Sequence, residues 1–196
     1  MEAIDEDIIA HIASSKENIL AAQKIYKNYT ASIGSKVLCW TDRVLNKLQQ
    51  DSNFASWINA TKRDAAHAIA DTYAEACKFA PFESKEIVVC IEFQKAGAQN
   101  PVIGIVLHHR LARRAKIVEA FKMDFSDVSK NANNNWLCYR YLHKPYKNWL
   151  EDAELVEELC DLEYPMLYDN ILEYCDKVQQ FINKRSSEFP ELVIGG

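Results

Sequence analysis

The sequence predicts an α+β fold, with helices at both ends of the chain and a small, mostly antiparallel sheet between them. Three observations support this. Apolar residues recur every three or four positions through most of the first 80 residues, Ile87, Val89, Ile91 and Phe93 recur at period two, and a long amphipathic stretch follows residue 165. Helices, then strands, then helices is an order typical of α+β domains. We divide the chain into a helical region, residues 1–80, and an α+β region, residues 81–196, which we expect to form one compact unit.

The helical region contains three predicted helices. The first carries its apolar stripe from Ile4 to Tyr29, and Gly34 interrupts the pattern. A second stripe begins at Val37, and a polar patch at residues 49–53 marks the following turn. We expect a third, alanine-rich helix from residue 54 to 77.

The α+β region opens with a strand. Ile87, Val89, Ile91 and Phe93 fall on one face at period two, and β-branched residues dominate the segment. A short loop containing Gly and Pro leads to a second strand, so we expect an antiparallel hairpin. The remaining predicted elements are strand 102–107, helix 111–122, strand 136–142 and two C-terminal helices, 149–162 and 165–184.

Composition narrows the class of protein. No run of about 18 apolar residues is present, and the N-terminal stretch is acidic where a secretory signal would be basic. We therefore expect a cytoplasmic protein with no membrane contact. The six cysteines include no C-x-x-C pair, so we expect reduced, mostly buried thiols and no metal or other cofactor.

Charge is distributed unevenly along the chain. Residues 108–147 carry nine Lys or Arg against three Asp or Glu, a net of +6 in a protein whose net charge is −5. Residues 148–196 carry three against twelve, a net of −9. One interpretation is mutual neutralisation by acidic residues of the next segment, which are Glu151, Asp152, Glu154, Glu157 and Glu158.

The other interpretation is a site for an anion. Cations interleaved with aromatic residues suit phosphates and stacked bases. This hypothesis makes the chain a non-enzymatic binding module that engages a protein partner or an anionic ligand, such as a nucleotide or nucleic acid. A third hypothesis is a structural subunit whose N-terminal helices pack on another chain. The candidate ligand-binding residues are His108, Arg110, Arg113, Arg114, Tyr139, Arg140, Tyr141, His143 and Lys144.

Glu92, Gln94 and Lys95 resemble the catalytic strand of the PD-(D/E)XK nuclease superfamily, in which carboxylates hold a divalent cation that activates water. The segments CIEFQ, IGIVL and NNNWLCYRYLHKPYKNW, with the closing helix, resemble the C-terminal part of bacterial PD-(D/E)XK nuclease-like proteins over residues 85–185. Because the upstream region shows no catalytic motif, the resemblance implies an accessory or recognition module of a bacterial or phage conflict system. The alternative is a metal-dependent nuclease or phosphodiesterase that uses Glu92 and needs further carboxylates nearby.

Overall fold

An antiparallel sheet forms the centre of the fold, and the chain reaches it in the predicted α+β order. The computed structural model describes residues 6–61, 73–84, 86–108, 111, 113–126, 135–144, 146–150, 155, 159 and 165–193. The described helices are α1 (Glu6–Ala13), α2 (Lys16–Leu48), α3 (Arg114–Asp124) and α4 (Pro165–Arg185). The described strands, adjacent in the order of their numbers, are β1 (Trp57–Asn59), β2 (Ala74–Pro81), β3 (Ile87–Lys95), β4 (Gln99–Leu107) and β5 (Trp136–Tyr141).

The two faces of the sheet are buried to different extents. The predicted stripe Ile87, Val89, Ile91 and Phe93 is fully buried in the main core, which the second half of α2 and the apolar face of α4 complete. The opposite face, which we call the outer face, holds a smaller cluster. Its buried residues are Ala80, Val88, Cys90, Val102 and Trp136. The alternation predicted for β3 is therefore confirmed, as is its antiparallel hairpin with β4.

Two expectations for the helical region are wrong. Helix α2 runs without interruption through Gly34, because an interior glycine costs only about 1 kcal/mol and the apolar stripe that begins at Ile33 packs on the core. The predicted helix 54–77 contains strand β1 and the start of β2 instead, and residues 62–72 of it lie outside the described residues. The boundary drawn after residue 80 falls within β2.

The C-terminal helix predicted at 165–184 is confirmed as α4. Of the preceding helix, predicted at 149–162, Leu155 and Leu159 are helical and buried in the main core, and most of the remainder lies outside the described residues. Among the described cysteines, Cys39 is exposed and four are buried as free thiols. Within the described residues, no helix combines the length and apolar composition needed to cross a membrane.

Candidate ligand-binding surface

Arg113 is engaged within the protein. Its Nε donates a 2.8 Å hydrogen bond to Glu191 Oε1, and its Nη2 pairs with the second oxygen of the same carboxylate. The guanidinium also lies over the ring of Phe189, 5.1 Å from the centroid. The hydrogen bond from Arg113 lowers the pKa of Glu191. These contacts join Arg113 to the C-terminal segment, whose Phe189 and Leu192 are buried in the core.

Arg140 has a similar internal role. Its Nη2 donates to the Asn170 side chain and lies 3.7 Å from Glu173 Oε2, both on α4. Its guanidinium lies 5.7 Å from the centroid of the Tyr174 ring. The described carboxylate partners of these two arginines are therefore Glu191 and Glu173. The acids named by the neutralisation interpretation, between residues 151 and 158, lie outside the described residues.

The nine candidate residues do not form one site. Arg110 lies outside the described residues. Near the C-terminal end of β4, His108 Nδ1 is 3.4 Å from Glu86 Oε2, and Arg114 Nη2 donates a 3.4 Å bond to the carbonyl of Leu107. Tyr141, His143 and Lys144 lie at the opposite end of the sheet, because β5 runs antiparallel to β4 and its Tyr141 pairs with Val102.

At that opposite end, the structure brings together cations that are far apart in sequence. Strand β3 ends at Lys95, whose Cα pairs with Gln99, and Gln99 forms a bridge with Asn148. The backbone N–H of Asn100 donates a 2.9 Å bond to the carbonyl of Lys147. We call the resulting group of exposed residues the lysine–tyrosine surface; its members are Lys95, Tyr141, His143, Lys144 and Lys147.

The lysines of this surface have no described acidic partner. No described carboxylate forms an ion pair with Lys95, Lys144 or Lys147. The primary structure explains this locally, since no Asp or Glu occurs at residues 93–118 or 128–150. The predicted ligand-binding residues do not include Lys95, which the sequence associates with the nuclease-like strand, or Lys147, although both are cations next to a predicted hairpin loop and an aromatic segment.

Tyr141 presents an aromatic side chain at the same end of the sheet. It is 50% exposed, and its ring meets that of Tyr139 edge-on with centroids 6.1 Å apart. Tyr139 in turn lies 5.8 Å from the ring of the buried Trp136. The three rings form a row along β5, so Tyr139 contacts the exposed ring of Tyr141 on one side.

A second polar cluster lies on the outer face. Glu75 is directly opposite Glu92 across β2 and β3, and Lys78 forms an ion pair with Glu75. A bulge at Ala76 places residues 75 and 78 on the same face, where strict alternation would separate them. Burial raises the pKa of the Glu92 carboxyl, while a 2.7 Å hydrogen bond from Gln94 opposes that shift. In the described part of the chain, no three His, Cys, Asp or Glu side chains are arranged to hold a metal ion.

The N-terminal helices expose much of the apolar surface of the described chain. Only the second half of α2, from Ile33, packs on the main core. Seven of the eleven large exposed apolar side chains lie earlier in α1 and α2: Ile8, Ile9, Ile19, Leu20, Ile25, Tyr26 and Tyr29. Such a concentration is typical of surfaces that contact another protein, as the structural-subunit hypothesis expects.

No protein-family model matches the sequence, and neither the curated proteins nor the solved structures include a match.

Proposed function

We propose that this protein is a binding module that holds an anionic ligand on its lysine–tyrosine surface. The proposal rests on a difference between the cations of the protein, which is whether a described carboxylate lies next to them. Arg113 and Arg140 are occupied by Glu191 and Glu173, whereas Lys95, Lys144 and Lys147 are exposed without a described carboxylate partner. The part of the basic region that is available to a ligand is therefore the lysine part.

The overall negative charge does not prevent such binding. At physiological ionic strength the Debye length is about 8 Å, so a bound anion is influenced mainly by charges close to it. Three lysines on adjoining segments, without a described carboxylate partner, create a positive local field, although the whole chain carries −5. We therefore expect no long-range electrostatic attraction of the anion and binding that weakens as salt increases.

Reversing the charge of the three lysines should weaken anion binding strongly. The variant Lys95→Glu/Lys144→Glu/Lys147→Glu should bind at least about tenfold more weakly than wild type, because each contact becomes repulsive. The measurement is fluorescence anisotropy with three labelled probes: polyglutamate, inorganic polyphosphate and a single-stranded oligonucleotide.

A matched control separates a local effect from a change in total charge. The variant Lys24→Glu/Lys27→Glu/Lys36→Glu alters exposed lysines of α2 and also takes the net charge from −5 to −11, a change of six. It should retain more of the wild-type affinity. Equal losses in the two variants, or no binding of any probe by wild type, would contradict the proposal.

A second candidate function rests on the outer-face cluster. The nuclease hypothesis requires further carboxylates near Glu92, and Glu75 supplies one on the adjacent strand, with Lys78 beside it. A carboxyl whose pKa is raised by burial can exchange a proton nearer neutral pH, as a general acid or base does. This cluster supports phosphodiester hydrolysis as the alternative to pure binding.

The alternative predicts that wild-type protein cleaves nucleic acid when Mg²⁺ is supplied and that Glu92→Gln reduces the rate by about 100-fold or more. Glu83→Gln, at an exposed turn position, is the matched control and should cleave normally. The readout is gel analysis of labelled single- and double-stranded substrates, with circular dichroism to verify folding. Absence of cleavage by wild type would eliminate this function.

A further inference from the structure

The lysine–tyrosine surface combines dispersed positive charge with an exposed aromatic ring. Tyr141 is held against Tyr139, so stacking a ligand on its free side should restrict little additional side-chain freedom. A second exposed tyrosine, Tyr73, is 69% exposed and immediately precedes β2, at the same end of the sheet. The lysines therefore lie at a sheet end that carries two exposed aromatic side chains.

The spacing of these groups favours an extended ligand. Neighbouring strands lie about 4.8 Å apart, so Lys95 on β3 is about 10 Å from the line of β5, and Tyr73 is about 14 Å from it. A ligand with a negative charge at each repeat can contact cations spread over this width of the sheet at the same time.

The chemistry of the side chains favours nucleotides over acidic peptides as the repeat. Lysine binds phosphate as a flexible point charge. Arginine suits a carboxylate because it can bond to both oxygens, as Arg113 does with Glu191, and the lysine–tyrosine surface has no arginine among its members. An exposed tyrosine offers a stacking face for an unpaired base, for which a glutamate-rich peptide has no counterpart. The half-buried amides of Gln99 and Asn100 lie at the same end of the sheet and can bond to base edges.

We infer that the ligand of the lysine–tyrosine surface is single-stranded nucleic acid, with a base stacked on Tyr141 and the phosphates bound by Lys95, Lys144 and Lys147. The inference rests on the proposed anion-binding function and specifies its ligand. A duplex is disfavoured, because its bases are already paired and stacked on one another.

The test measures binding of an oligothymidylate of about eight nucleotides, a length within the range of known single-strand sites. Tyr141→Ala should weaken binding about tenfold or more, because it removes the stacking face. Tyr141→Phe keeps the ring and should remain within about threefold of wild type. Tyr26→Ala, an exposed tyrosine of α2, is the control and should have no effect.

Two further probes identify the reason for any failure. An abasic oligomer of the same length should bind wild type and Tyr141→Ala equally, since it cannot stack, and a duplex should bind more weakly than the single strand. If polyglutamate binds through the three lysines and the oligonucleotide does not, the nucleic-acid inference is overturned while anion binding stands. Unchanged oligonucleotide affinity in Tyr141→Ala also overturns it. If no anionic probe binds, both proposals fail.

Discussion

Replacing Gly104 with alanine is expected to lower the free energy of unfolding by about 3 kcal/mol or more. A Cβ at this position would lie 2.1 Å from the carbonyl oxygen of Cys138 and 2.7 Å from the Cα of Tyr139. Both are backbone atoms of β5, so no side-chain rotation can relieve the clash and the two strands must separate. Urea denaturation followed by circular dichroism measures the change.

Gly97→Ala is the matched control for this result. It adds the same methyl group where the nearest atoms are side-chain atoms 3.7 and 3.8 Å away, so its cost comes from the backbone angle φ of +76°. That conformation costs an alanine about 1–2 kcal/mol, less than the expected loss at Gly104. A Gly104→Ala protein as stable as Gly97→Ala would mean that β4 and β5 are not paired at this register.

Trp149→Ala should destabilise the protein by about 3–5 kcal/mol, the usual cost of removing a large buried ring. The side chain is fully buried between Trp40 and Phe93, with ring centroids 6.1 and 5.2 Å away. Its Nε1 donates a 3.0 Å bond to the carbonyl of Tyr146, and its backbone N–H donates to Ala98. Anion binding should weaken as well, because these contacts fix the segment carrying Lys144 and Lys147 against the β3–β4 turn.

The conservative variant Trp149→Phe separates the contribution of the buried ring to stability from the contribution of the indole hydrogen bond to the position of residues 144–147. It keeps an aromatic ring in the core but loses the indole N–H, so it should recover most of the stability and leave the Tyr146 carbonyl without that donor. Thermal unfolding and anisotropy are measured on the same samples. A Trp149→Ala protein that is folded and binds anions like wild type would show that this anchor does not position the surface.

The spacing of apolar residues along the chain predicted the elements that pack on the core, such as β3 and α4. Strand β3 was predictable because β-branched residues dominate it and its core-facing residues recur at period two, and α4 because its apolar stripe is regular and long. Strand β2 was not readable. Its AEACK stretch has the composition of a helix, and pairing with β3 outweighs that preference of a few tenths of a kcal/mol per residue.

The candidate site was predictable only in part, for a related reason. Tyr139, Tyr141, His143 and Lys144 were identified from the cations and aromatics of one segment. Lys95 belongs to the same surface through the β3–β4 hairpin and the bridge from Gln99 to Asn148, which join segments about 50 residues apart. Glu75 likewise meets Glu92 only through strand pairing and the bulge at Ala76.

The sequence by itself determined the α+β class, the order of most elements and the concentration of positive charge in residues 108–147, because periodicity and charge are properties of neighbouring residues. Tertiary structure decided which of those charges meet a carboxylate. Arg113 and Arg140 are joined to Glu191 and Glu173 by the packing of the C-terminal segment and α4, whereas Lys144 and Lys147, like Lys95 of β3, are left exposed at one end of the sheet. That selection depends on which distant segments the core brings together, and no local pattern contains it.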